Sequence, residues 1–293
     1  MTAPARDDAF GRHRRLLFTV AYEMLGSATD AEDVVQETWL RWAEVDHAAV
    51  RDHRAYLVRI TTRQALNRLR TLSRRREDYV GEWLPEPLAT GPDVAADVEL
   101  AESISMAMLT VLETLGPVER AVFVLREVFD TPYDDIAAAV GRSVPAVRQI
   151  AHRARDHVAA RRPRVDVGEG EQARVVERFL DAVRDGDVEG LLEVLAPDVV
   201  VIPDGGGLVP ASRRPVTGAA TVAALVAMFA RRVAFAAEPV RVNGSPGLRL
   251  TVDGVVTAAM ALDVQDGRIT RVYAMFNPEK LAGVDDVAAL ARG

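Results

Sequence analysis

Residues 131–158 read TPYDDIAAAVGRSVPAVRQIAHRARDHV. A short helix over Tyr133–Val140 ends at Gly141, the residue type that closes helices in the left-handed conformation. Ser143 then stands at an N-cap position, and a second helix runs to about Ala160. Val144, Val147, Ile150 and Ala151 form its apolar side. Arg148, Gln149, His152 and Arg153 fall on the other side, near the end that enters a major groove in such motifs, and the capped N-terminus is placed to meet a phosphate. Helix, glycine turn and capped basic helix together have the form of a helix-turn-helix.

Working outward, LGPVERAVFVLREV (115–128) puts a proline at a helix start, and residues 99–160 read as helical throughout. Three more helices come earlier, over about 12–25, in DAEDVVQETWLRWAEV (30–45) and over about 52–76. Beyond Pro163 two short amphipathic helices and a strand (Val199–Ile202) are followed by alternating segments with Asp253-Gly254 and Asp266-Gly267 as hairpin turns. This last part is predicted to be α+β.

The net charge of −7 conceals a segregation. Seven arginines and no acid lie between Arg59 and Arg76; five acids and no base lie between Asp78 and Asp97; seven arginines and Asp156 lie between Arg142 and Arg164. Two basic blocks around an acidic linker predict two contacts with a polyanion. On the first basic helix Arg59, Thr62, Arg63, Asn67 and Arg70 share one broad face, where arginine neutralises phosphate and asparagine reads base edges. A solvated basic face is the alternative reading. The acidic stretch with Asp30, Glu32, Asp33, Gln36 and Glu37, next to Trp39 and Trp42, would repel DNA and suit a protein partner; tryptophans in the helical core are the alternative.

There is no cysteine, which excludes disulfides, thiolate metal sites and a cysteine nucleophile. All five histidines precede residue 165, so no histidine–carboxylate dyad or histidine metal site is available in the last domain, and Asp204, Asp253 and Asp263 are its remaining acid–base candidates. No apolar run reaches the length of a membrane helix, and a cytoplasmic, membrane-free protein is expected. Lys280 is the sole lysine, and no chemistry is read from it.

DAEDVVQETWLRW, RAYLVRITTRQALNRLR and LGPVERAVFVLREVFDTPYDDIAAAVGRSVPAVRQIAHRARDHV resemble, in order and spacing, the two conserved regions of extracytoplasmic-function RNA polymerase sigma factors. The resemblance implies that Asp30, Asp33, Gln36, Glu37 and Trp39 dock on core RNA polymerase. It implies that Thr62, Arg63, Asn67 and Arg70 lie near the −10 element of promoter DNA, and that Ser143, Arg148, Gln149, His152 and Arg153 lie near the −35 element. It extends to a subgroup with a fused SnoaL-like domain, marked by a linker motif at Trp83-Leu84-Pro85-Glu86-Pro87 and by Asp204-Gly205-Gly206-Gly207 and Asn277-Pro278-Glu279-Lys280-Leu281, with Glu279 where aspartate is usual. Regulation in cis by the fused domain, without a membrane anti-sigma partner, is what the subgroup implies.

The expected architecture is thus a region 2 domain (1–77), a Pro-rich acidic linker (78–98), a region 4 helix-turn-helix domain (99–164) and a SnoaL-like α+β cone domain with a curved antiparallel sheet (165–293). No catalytic residue, cofactor or metal is expected. A small-molecule ligand in the cone domain is a possible partner, and the free chain is expected to be monomeric. A ligand-sensing DNA-binding regulator and a cyclase or isomerase with accessory DNA-binding parts stay open as alternatives. Within GEWLPEPL (81–88), Pro85 and Pro87 stiffen the chain and lower the entropy lost on docking. Trp83 and Leu84 are then anchors for the last domain, unless Trp83 packs locally on region 2.

Overall fold

The computed structural model describes residues 4–161 and 169–292, with side chains over 9–72, 78–161 and 170–292. The side chains of Arg74, Arg75 and Arg76, the residues Arg162 and Arg164, and the 164/165 boundary lie outside that description. Helices α1 (Pro4–Leu25), α2 (Ala28–Ala43) and α3 (His53–Glu77) form the first bundle. Trp42 is its largest buried side chain, stacked on His47 with ring centroids 4.0 Å apart.

The acidic linker departs from the expected loop. It carries strand β1 (Ala89–Thr90) and helix α4 (Pro92–Ala96), and it runs into α5 (Val98–Ser103) and α6 (Met106–Leu112). Next are α7 (Pro117–Phe123), a π-helical turn over Val124–Val128, α8 (Tyr133–Val140) and α9 (Val144–Ala159). Gly141 closes α8 at φ 68°, as its sequence predicts, and its amide bonds back to Ala137 O. The first bundle and the helices α6–α9 share one apolar core, in which Leu66 and Leu69 of α3 belong with Val122, Ile136 and Val147.

The C-terminal domain has α10 (Glu169–Asp185), α11 (Val188–Val194), β2 (Leu195–Asp204), β3 (Val216–Thr217), α12 (Ala219–Ala230), β4 (Ala236–Val242), β5 (Ser245–Val252), β6 (Val255–Gln265), β7 (Arg268–Met275) and β8 (Val287–Ala288). The sheet order is β3-β2-β7-β6-β5-β4-β1-β8. Pairing is antiparallel from β7 to β4 and parallel at β2–β7 and β1–β8. The linker therefore supplies a strand to this sheet, which a loop reading of its prolines did not foresee. The turns at Asn243-Gly244, Asp253-Gly254 and Asp266-Gly267 all have positive φ at both residues, the condition for tight two-residue hairpins.

Alternation divides the sheet into two faces. Val201, Leu248, Leu250, Val272 and Ala274 pack under α10–α12. On the opposite face, Ala259, Ala261, Tyr273 and Met275 pack against Leu84 of the linker and against Met106 and Ala107 of α6. The chain end closes over the helical part: Leu290 is buried in its core, and the Ala291 amide donates to Thr19 Oγ1 at 3.1 Å.

Candidate DNA-binding and interdomain site

Trp83 and Leu84 meet the C-terminal domain at a single buried charge pair. Asp204 ends β2, and Lys280 lies in the 3-10 turn after β7; Lys280 Nζ is 2.7 Å from Asp204 Oδ2, and the two side chains are 4% and 0% exposed. The ammonium also donates to Leu84 O at 2.6 Å and stands 3.3 Å from the Trp83 ring centroid and 4.7 Å from that of Tyr79. Asp204 accepts in addition from the Leu84 amide (2.9 Å), the Tyr79 hydroxyl (2.5 Å) and the Gly206 amide (3.2 Å). A buried ion pair is held only where such extra bonds satisfy its remaining lone pairs and protons. Burial first, and the bond to Asp204 second, push the Tyr79 hydroxyl well above the ordinary phenol pKa.

The glycines make this approach possible. A Cβ on Gly206 would lie 2.5 Å from Asn277 Nδ2 and 2.9 Å from the Tyr79 oxygen, and both Gly206 and Gly207 have positive φ. Asn277 donates to the Tyr79 oxygen at 2.8 Å and accepts from the Glu279 amide, so it organises the turn that aims Lys280. The Glu279 side chain is exposed, and its backbone is what the turn uses; Leu281 is buried against the sheet, and Pro278 is exposed.

The next residues of the motif turn to the first bundle. The Glu86 carboxylate accepts from the Ala28 and Thr29 amides and the Ser27 hydroxyl, capping the N-terminus of α2 where a negative charge is favoured. The Glu86 amide donates to Gly26 O, and Tyr22 donates its hydroxyl to Glu86 O. Pro85 and Pro87 are buried. Asn243, at the tip of the β4–β5 hairpin, adds a third connection: its side chain donates to Tyr22 and to Ile104 O and accepts from the Leu88 amide. Five consecutive residues thus join the sheet to the first bundle.

The DNA-facing candidates are placed unequally. Arg148, Gln149, His152 and Arg153 are all exposed along α9, with His152 Nδ1 2.9 Å from Asp156. Ser143 occupies the N-cap position, but its hydroxyl makes no capping bond, contrary to the expected cap. On α3, Arg63, Asn67 and Arg70 are exposed, and Arg63 donates to Ala138 O of α8 at 2.7 Å. Thr62 is fully buried with its hydroxyl donated to Val58 O, so in this arrangement it offers nothing to DNA.

On α2, Asp30 and Asp33 are paired with Arg68, and Glu37 accepts from Gln64. Gln36 is exposed, and Trp39 and Leu40 are 43% and 58% exposed. Trp39 therefore belongs to the surface, unlike Trp42.

Between the two sigma-like parts lies a second polar cluster. Glu23 of α1 accepts from Ser103 at 2.8 Å, and Arg120 of α7 donates to Glu23 O (2.9 Å) and to Glu113 (2.7 Å). Glu23 Oε2 and Arg120 Nη2 are buried without a hydrogen-bond partner among the described residues. Burial pushes the Glu23 carboxyl up to about 8 and the Arg120 guanidinium down to about 9.

None of the three acid–base candidates lines the cavity under α10–α12. Asp204 and Asp263 lie on the other face of the sheet, the latter accepting from the Tyr273 hydroxyl, and Asp253 occupies a hairpin turn. Among the described residues no group of three or more His, Cys, Asp or Glu is arranged to hold a metal, and no helix is long and apolar enough to cross a membrane.

Sequence reasoning missed Tyr79, Tyr22, Asn243, Glu23 and Arg120. Only Asn243 left a signal, as the first residue of an Asn-Gly turn.

Comparison with known proteins agrees with this assembly. The Sigma-70 region 2 family matches residues 9–75, and the Sigma-70 region 4 family matches residues 105–158. The chain is 37% identical over 286 residues to the extracytoplasmic-function (ECF) RNA polymerase sigma factor SigJ of Mycobacterium tuberculosis, covering 92% of this chain and 91% of that one. It is 33% identical to the probable ECF sigma factor SigI of the same organism, covering 93% of each. The crystal structure of the M. tuberculosis SigJ superposes with a TM-score of 0.75 at 33% identity, over 94% of this chain and 98% of that one. This chain belongs to the ECF RNA polymerase sigma factors, with a C-terminal α+β domain beyond the two sigma regions.

Proposed function

We propose that this protein binds core RNA polymerase and directs promoter-specific initiation, and that its C-terminal domain regulates it in cis by holding the two sigma regions together. In this reading α2 presents Asp30, Asp33, Gln36, Glu37 and Trp39 to the polymerase. Arg63, Asn67 and Arg70 of α3 meet the −10 element, with Thr62 joining after rearrangement. Ser143, Arg148, Gln149, His152 and Arg153 meet the −35 element. The cavity of the C-terminal domain takes a small molecule.

The observation that carries the regulatory reading is the Arg63–Ala138 bond within a core shared by both regions. Promoter elements about 25 base pairs apart are separated by roughly 85 Å along B-DNA, which α3 and α8 cannot span while packed together. The compact form is therefore the resting form. The linker motif, fixed to Asp204 and Lys280 at one end and to α2 at the other, helps to keep it so.

Runoff transcription with core polymerase tests this on the full chain. Asp204→Asn and Lys280→Met loosen the linker and are expected to raise initiation above the parent. Loss of initiation by both variants, with polymerase binding intact, would mean that the linker contact assists the productive form. Absence of polymerase binding by the parent would overturn the sigma-factor reading itself.

A further inference from the structure

The cavity under α10–α12 and the Asp204–Lys280 contact lie on opposite faces of the same strands. The cavity has a volume of about 350 Å³, at the small end of ligand pockets. Phe179, Val226, Met260 and Phe276 are among its walls; among the described residues no charged side chain lines it, and Ser212 carries the one hydroxyl. That hydroxyl already donates to Arg214 O and accepts from the Arg214 amide. An ionised ligand would lose its hydration here with no partner to replace it, at prohibitive cost. The chemistry of the walls selects an uncharged, hydrocarbon-rich molecule.

The same segments reach the linker. On β2, Val201 and Pro203 line the cavity, while Ile202 and Asp204 point to the linker face; on β7, Val272 and Ala274 alternate in the same way with Tyr273 and Met275. Phe276 is a wall, and the adjacent Asn277 holds Tyr79. Pro210, Ala211 and Ser212 are walls as well, and they end the loop begun by the glycines; a Cβ on Gly205 would lie 2.8 Å from Ala211 Cβ. Anything that displaces Pro203, Ala211 or Phe276 acts on residues directly bonded to, or in contact with, the groups that grip Trp83 and Leu84.

We propose that this cavity is a receptor site for a small uncharged apolar molecule, and that its occupancy is transmitted through β2, β7 and the 204–212 loop to the grip on the linker. The proposal rests on the regulatory reading above for its biological meaning, but binding and transmission are measured without polymerase. A ligand that fits the latched and released forms unequally shifts their balance, and release must shift ligand affinity by the same factor.

The test uses the full chain and N-phenyl-1-naphthylamine, a neutral apolar fluorescent probe. One saturable site is expected, weakened about tenfold or more by Met260→Trp and by Val226→Phe, which fill the cavity from different walls. The anionic relative 8-anilinonaphthalene-1-sulfonate is expected to bind far more weakly. In protein carrying 5-fluorotryptophan, the Trp83 fluorine resonance, assigned with Trp83→Phe, is expected to move with the same midpoint as binding while that of Trp39 stays. Asp204→Asn is expected to change probe affinity about fivefold or more. Undiminished affinity in both filled variants, or equal binding of the anionic dye, would overturn the site. A Trp83 resonance unmoved at saturation would overturn the transmission, and it needs no substitution in the cavity. Binding and transmission without any effect of Asp204→Asn on transcription would uphold this proposal while rejecting the regulatory reading.

Discussion

Two interfaces hold this chain in its compact form, and they are built differently. Where the linker meets the sheet, the buried Asp204–Lys280 pair is surrounded by bonds from the Leu84 amide, Leu84 O, Tyr79 and Gly206, with two aromatic rings against the ammonium. Where region 2 meets region 4, Glu23 and Arg120 are buried as deeply, yet one terminal atom of each lacks a partner among the described residues. A satisfied buried network rigidifies, and a partly satisfied one costs free energy. Judged by these two charge clusters, the contact between the sigma regions is the one expected to yield first, with the linker still on the sheet.

The largest effect that breaks this comparison lies at Lys280. Replacing it by Met leaves Asp204 buried without its counter-ion and should remove about 3–5 kcal/mol from the linker interface, read as a lowered unfolding midpoint and early protease cutting near residues 78–88. Lys280→Arg should also destabilise. A planar guanidinium cannot place one charge between a carboxylate, a carbonyl and two ring faces as a compact ammonium does. Equal stability of the Arg variant would show that charge alone matters there.

A smaller, pH-dependent effect sharpens the other side. The Glu23 carboxyl is raised from 4.5 to about 8 in the compact form, mainly by burial. Its proton-linked stability is fully present below pH 4.5 and is lost as pH rises to about 8. The compact form should thus weaken steadily as pH rises across that window, and Glu23→Gln should flatten the dependence. Asp263, whose carboxyl burial raises from 3.8 to about 6, adds a slope of the same sign below pH 6. Chemical unfolding at several pH values measures both. An unchanged slope in Glu23→Gln would remove the account of that interface.

The smallest expected effect concerns Ser143. Its hydroxyl caps nothing here, so Ser143→Ala should change stability by less than about 0.5 kcal/mol while weakening promoter binding. A loss of stability equal to that of a broken cap would show that the hydroxyl serves the helix and not DNA.

Much of this was legible in the sequence. Helix periodicity, Gly141 and the Asp-Gly turns state local geometry directly, because each residue type acts on its own backbone. The fold class follows from such signals in order, and the sigma-factor assignment from the resemblance of the motifs at 30–42, 54–70 and 115–158 to that family. The role of Lys280 as counter-ion to Asp204 was not read, because a lone lysine among arginines states no partner by itself. Prolines made the linker look like a loop, but Ala89 and Thr90 take a place between β4 and β8 in a sheet whose other strands are more than a hundred residues away. Asn243 begins an Asn-Gly pair, but its burial depends on Tyr22 and Ile104, which no local pattern brings to it. Glu23 and Arg120 sit in helical stretches that give no sign of their burial.

In this reading α3 and the helix-turn-helix of α8 and α9 are packed together at rest, through α8, and separate for initiation. The absence of cysteine allows spin labels to be placed at Thr71→Cys on α3 and Ala159→Cys on α9, both exposed. The distance between them should be short and single in the free protein, and should lengthen by several tens of ångströms, ~20 Å at the least, when core polymerase and promoter DNA are bound. The same short distance in a complex that transcribes would contradict the account.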